Sequence, residues 1–128
     1  MKKKVLIVVS DYYDDIANAL LDSTKKFLNN KIKLNIIKVP GVFEIPIIIS
    51  KNINKFDGFI AIGCVIKGKT AHFDLISKSV IDAIMNLSIN SKKPIGNCIL
   101  TCFNYKQALA RKKKGREAAI ALNSILYK

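Results

Sequence analysis

The sequence predicts an α/β domain: a mainly parallel four-stranded sheet with helices on both faces. Four short apolar runs, KVLIVVS (4–10), KLNIIKV (33–39), GFIAIGCVI (58–66) and PIGNCILT (94–101), alternate with stretches whose apolar residues keep helical spacing. The first run is almost continuously apolar, as a strand covered on both faces must be. Repeated strand–helix units then require parallel strands joined by crossovers, hence a doubly wound three-layer domain. A chain of 128 residues is the size of one such domain, so residues 1–128 are read as a single unit.

Each element follows from its residues. After the strand at 4–10, a helix begins near Asp14 or Asp15 and carries Ile16, Leu20, Phe27 and Leu28 along one face. Beyond the strand at 33–39, VFEIPIIISKNI (42–53) reads as a helix despite Pro46, a residue comfortable only in a helix's first turn. After the strand at 58–66, Phe73, Ile76, Val80, Ile84 and Leu87 mark a helix that starts near Ala71. Past the strand at 94–101, one long helix is predicted from Tyr105 onward.

Composition narrows the function classes. Half the residues are hydrophobic, yet no apolar run approaches the roughly 20 residues of a membrane span, and MKKKVLIVVSD meets Asp11 too early for a signal peptide. A soluble, cytoplasmic chain without a membrane partner is expected. Cys64, Cys98 and Cys102 are odd in number and lack C-x-x-C or Cys/His ligand spacing, so they read as buried thiols rather than a metal site. The formal charge of +13 invites a nucleic-acid role. However, 20 of the 22 basic residues are Lys, and base readout favours the forked Arg side chain. Lys, Ile and Asn, all abundant here, share A/T-rich codons. The charge is therefore read as a solvated basic face, with no nucleic-acid partner.

In doubly wound sheets ligands bind beyond the carboxyl ends of the strands, which singles out Ser10–Tyr13, Val39–Glu44, Gly63–His72 and Thr101–Asn104. GCVIKGKTAHFD (63–74) fits the phosphate-loop pattern G-x-x-x-x-G-K-[ST] through Gly63, Gly68, Lys69 and Thr70. Its four variable positions, Cys-Val-Ile-Lys, continue an apolar strand instead of forming a flexible loop, so nucleotide hydrolysis is rejected. What survives is a Gly-Lys-Thr at a helix N-terminus, where free N–H groups and the helix dipole favour a phosphate. His72, the only histidine, follows in the first turn and can exchange protons with a ligand held there.

VPGVFEIP (39–46), GCVIKGKTAHFD (63–74), and ILTCFNYKQALAR followed by KGREAA (99–119) together resemble the 6,7-dimethyl-8-ribityllumazine synthase family over nearly the whole chain. The resemblance implies a flavodoxin-like fold and a reaction without metal or organic cofactor. In that reaction 5-amino-6-ribitylaminouracil condenses with 3,4-dihydroxy-2-butanone 4-phosphate. It further implies that Tyr12 stacks on the pyrimidine. Val42, Phe43 and Glu44 would hold the ribityl chain, with Cys64, Val65 and Ile66 meeting the pyrimidine largely through backbone. Lys69, Thr70 and Arg111 would contact phosphate, and His72 would transfer protons. Asn97 occupies a pocket-wall position that often carries phenylalanine in the family, and Tyr13 replaces a usual asparagine. Lys67 stands where an arginine is usual, and only Lys112, Lys113 and Lys114 separate Arg111 from Gly115, where the family has a longer, glycine-containing bend. The implied partners are the two small-molecule substrates and further copies of the chain, a pentamer in preference to a sixty-subunit shell, with riboflavin synthase as a candidate protein partner. Two other readings stay open on residues alone: a noncatalytic flavodoxin-like binding module, and a basic RNA-binding or scaffold protein.

Overall fold

The computed structural model describes residues 2–68 and 72–128, His72 by its backbone alone. In chain order the elements are β1 (Lys4–Ser10), α1 (Asp14–Phe27), β2 (Lys33–Val39), a 3-10 turn (Val42–Glu44), α2 (Ile45–Lys51), β3 (Gly58–Ile66), α3 (His72–Ser91), β4 (Ile95–Cys102), α4 (Tyr105–Ala110) and α5 (Gly115–Leu126). The strands pair in the order β2-β1-β3-β4, and every pair is parallel. β1 forms ladders on both sides, and Val5 to Val9 are fully buried.

Strand alternation sends consecutive β1 side chains into two cores. Val5, Ile7 and Val9 pack with Ile16 and Leu20 of α1 and Leu122 of α5. Leu6 and Val8 pack with Ile45 and Ile49 of α2 and with Val80 and Ile84 of α3. Helices thus cover both faces and give the three layers, as a fully buried parallel sheet requires. The chain leaves β1 toward β2 on one side and reaches β3 on the other, which places the topological switch point at the carboxyl ends of β1 and β3.

Two predicted helices take a different form. The segment 42–53 opens as a 3-10 turn and becomes α-helical only at Ile45, with Pro46 in the first turn, where its missing N–H costs no hydrogen bond. The long helix expected from Tyr105 is broken, because α4 ends at Ala110 and α5 starts at Gly115. The break has a packing cause. A Cβ at Gly115 would collide with Ser23 Oγ, the Leu20 carbonyl and Thr24 Oγ1, so α5 lies directly against α1 and the chain must be re-aimed at 111–114. On α1 itself, Phe27 and Leu28 are half-buried, while Ala17 and Thr24 join the core. Thr24 is tolerated there because its hydroxyl donates to the Leu20 carbonyl at 2.8 Å. All three cysteines are buried free thiols, and among the described residues no helix is long and apolar enough to cross a membrane.

Candidate active site

The loops after β1 and β2 are knitted together at the carboxyl rim. The Asp11 N–H donates to the Val39 carbonyl at 3.1 Å, and the Ser10 hydroxyl donates to the Pro40 carbonyl at 3.4 Å. The 3-10 turn then lays Val42 over β3: a Cβ at Gly63 would stand 2.5 Å from Val42 Cγ1 and 3.3 Å from Ser10 Cβ. This turn leaves Val42 buried, Phe43 exposed and Glu44 half-buried, with the Glu44 N–H donating to the Gly41 carbonyl at 3.2 Å. The half-buried carboxylate is an acceptor suited to hydroxyl groups. Tyr12 is 73% exposed and Phe43 is 65% exposed, so two aromatic rings stand open to solvent on the same rim.

β3 supplies the floor. Cys64 is buried, whereas Val65 and Ile66 are half-buried. Burial, with Cys102 adding to it, pushes the Cys64 thiol up to about 12, so it stays protonated and is no nucleophile. Past β3, the Lys67 N–H donates to the Cys102 carbonyl at 2.8 Å, and Lys67 Nζ lies 5.4 Å from the Phe103 ring centroid. Lys69 and Thr70 lie outside the described residues. α3 starts at His72, whose side chain also lies outside them, so its backbone alone stands at this rim.

Arg111 caps the C-terminus of α4 and is exposed. Its guanidinium donates to Cys102 Sγ at 3.8 Å, which brings the side chain to the carboxyl end of the edge strand β4. A polar hollow of about 400 Å³ beside it is lined by Arg111, Lys113, Lys114 and Glu117, a balance that suits an anion. Asn97 is placed apart from the other site residues. It sits midway along β4 opposite Ala61, accepts the Ile99 N–H at 3.0 Å, and lines an apolar hollow of about 250 Å³ with Ile81, Met85 and Ile125. One rim thus gathers Tyr12, Val42, Phe43, Glu44 and Cys64–Ile66, while Arg111 and Asn97 lie on the sheet's open edge. Among the described residues no group of three or more His, Cys, Asp or Glu could hold a metal ion.

The residue-by-residue reading missed Tyr105 and Gln107. The Gln107 N–H donates to Asn104 Oδ1 at 2.9 Å, and Gln107 Oε1 accepts the Phe103 N–H at 2.7 Å. The first bond is the N-cap contact that the spacing Asn104-x-x-Gln107 signals in the sequence, whereas the second reaches one residue further back than a capping box, to the N–H before the cap.

Known proteins resemble this chain over most of its length. The chain shares 41% identity with the 6,7-dimethyl-8-ribityllumazine synthase of Agrobacterium fabrum, over 94% of this chain and 90% of that protein. It shares 42% with the Bartonella henselae enzyme of the same name, over 88% of this chain and 76% of that protein. With 6,7-dimethyl-8-ribityllumazine synthase 1 of Rhizobium meliloti it shares 38%, over 86% and 77%. Residues 2–127 match the 6,7-dimethyl-8-ribityllumazine synthase family, and with the rim built from the segments that carry the resemblance, the chain belongs to that family.

Proposed function

We infer that this chain, acting as a single domain over residues 1–128, condenses 5-amino-6-(D-ribitylamino)uracil with 3,4-dihydroxy-2-butanone 4-phosphate to give 6,7-dimethyl-8-ribityllumazine, phosphate and water, a step of riboflavin biosynthesis. The observation that carries this reading is the family match over residues 2–127. The RNA-binding and noncatalytic readings are not favoured.

The nucleophile is the substrate's own amine, so the protein has to orient two molecules, assist phosphate departure and move protons. Tyr12 stacks on the pyrimidine, Val42 and Phe43 flank the ribityl chain, and Glu44 accepts its hydroxyl hydrogen bonds. Cys64, Val65 and Ile66 meet the pyrimidine through backbone. Lys69, Thr70 and Arg111 hold the phosphate, and His72 carries protons during imine formation and ring closure. The exposed rings of Tyr12 and Phe43 and the half-buried Glu44 support the ribitylpyrimidine assignments.

The chain works as a homo-oligomer, with a ring of five favoured over a sixty-subunit shell. The two sheet edges support self-association through β4. Lys33 and Lys38 stand exposed on β2, whereas the apolar hollow of Ile81, Met85 and Ile125 flanks β4. A neighbour seated there would bring Asn97 and Arg111 to a second copy's rim. Three free thiols suit a reducing compartment such as the cytoplasm. The activity test is to mix the purified protein with both substrates and follow lumazine fluorescence. No product above the uncatalysed rate would overturn the reading.

A further inference from the structure

Tyr12 projects from a loop and is 73% exposed, so little around it fixes its ring. Its aromatic neighbour is Tyr13, whose ring centroid lies 5.0 Å away at an interplanar angle of 74°. That is an edge-to-face contact, the arrangement in which the positive rim of one ring meets the negative face of another. Tyr13 is half-buried and packs against the core cluster that contains Cys64, Cys102 and Ala108. Its ring therefore has a fixed seat that the ring of Tyr12 lacks.

A third ring extends the row. Tyr105 lies 6.3 Å from Tyr13, again edge-on at 75°, and its hydroxyl donates to Asp15 Oδ2 at 3.5 Å. Tyr105 is the first residue of α4, directly after the Asn104 cap that Gln107 completes. The row is thus held at three points: the core beneath Tyr13, the first turn of α1 through Asp15, and the capped start of α4.

We propose that Tyr13 is a positioning residue for the pyrimidine subsite, holding the Tyr12 ring at the angle in which it meets the heterocycle, with Tyr105 buttressing Tyr13 from α4. The inference rests on Tyr12 being the stacking residue. Without the ring of Tyr13, Tyr12 would sample several rotamers, and substrate binding would have to select one of them. That loss falls on the pyrimidine and leaves the butanone phosphate untouched.

Three variants test it in the full-length enzyme. Tyr13→Leu keeps apolar bulk against the core but removes the ring, and should raise KM for the ribitylaminopyrimidine about 2- to 10-fold, the range typical of one aromatic pair. KM for the butanone phosphate should stay unchanged, and kcat should stay within about twofold, as loss of an interaction made equally in ground and transition states requires. Tyr13→Phe should restore the wild-type KM. Tyr12→Ala should raise the same KM, and combining it with Tyr13→Leu should add nothing further. If Tyr12→Ala raises KM while Tyr13→Leu lowers only the melting temperature, Tyr13 is a packing residue and the proposal is overturned while the stacking assignment stands. Should Tyr12→Ala leave KM unchanged, the stacking assignment and the proposal both fall.

Discussion

Val42 Cγ1 occupies the space that a methyl group on Gly63 would need, at 2.5 Å from the position of that Cβ. The apolar wall of the 3-10 turn is thus seated on the backbone of β3. Gly63→Ala should force Val42 and Ser10 outward, an overpacking that costs about 1–3 kcal/mol. The denaturant midpoint should fall, and KM for the ribitylaminopyrimidine should rise because Phe43 and Glu44 ride on the same turn. An unshifted midpoint would show that the turn adjusts freely.

His72 is the one side chain of the motif whose ordinary pKa, about 6.5, lies near neutrality. His72→Ala should slow lumazine formation roughly 10- to 1000-fold, a fall bounded by the usual acid-base contribution and capped by the slow uncatalysed condensation. Wild-type turnover in the variant would remove the proton-transfer role.

Arg111→Ala should raise KM for the butanone phosphate about 10- to 100-fold, the worth of a hydrogen bond to a charged group, and leave the pyrimidine nearly unaffected. Arg111→Lys should recover only part of the loss, because an ammonium cannot make the two-pronged contact. Equal losses for both substrates would contradict the assignment, as would tight ATP binding in a calorimeter.

The thiols give a pH dependence of known sign. Burial raises both Cys64 and Cys98 to about 12 from an ordinary 9.0. Between these values the unfolded chain has released protons that the folded chain still holds, so rising pH favours unfolding. This stabilising contribution is complete below about pH 9 and is lost as pH climbs toward 12. Denaturation midpoints followed across that window should fall, and Cys98→Ala should fall less steeply. At neutral pH the native thiols should react with an aromatic disulfide reagent far more slowly than those of the urea-unfolded chain. Immediate reaction of all three would contradict the burial.

Light scattering at moderate salt should give 71 kDa, five times the 14.2 kDa chain. Lys112, Lys113 and Lys114 form an exposed like-charge run in the turn between α4 and α5, which would repel its copies wherever rings approached, less so as salt is added. A particle of hundreds of kilodaltons would refute the pentamer, and a monomer would undermine the shared site.

The sequence was most legible where a single physical requirement acts alone. Strands buried on both faces must be apolar throughout, so β1 and β3 have the predicted bounds. The boundary at Pro46 was only half visible, because proline fits the first turn of α2 but does not say that a 3-10 turn precedes it. Invisible from periodicity was the break at 111–114, since its cause is tertiary: Gly115 lies against α1, about ninety residues back in the chain. The site divides the same way. Gly-Lys-Thr and His72 carry their chemistry in the sequence, whereas the row of Tyr12, Tyr13 and Tyr105 exists only once α4 is folded beside α1.

The contact between α1 and α5 also orders events during synthesis. α1 is among the first elements to leave the ribosome, yet the helix that covers it, together with Leu122 and Leu126 of their common core, comes last. The part of α1's apolar face that the sheet leaves open must therefore stay uncovered until almost the whole chain has emerged. Such long-range closure makes folding slow and leaves early intermediates prone to association. Ribosome-stalled chains ending before Gly115 should accordingly be cut readily by protease within α1, and chains carrying α5 clear of the exit tunnel should resist.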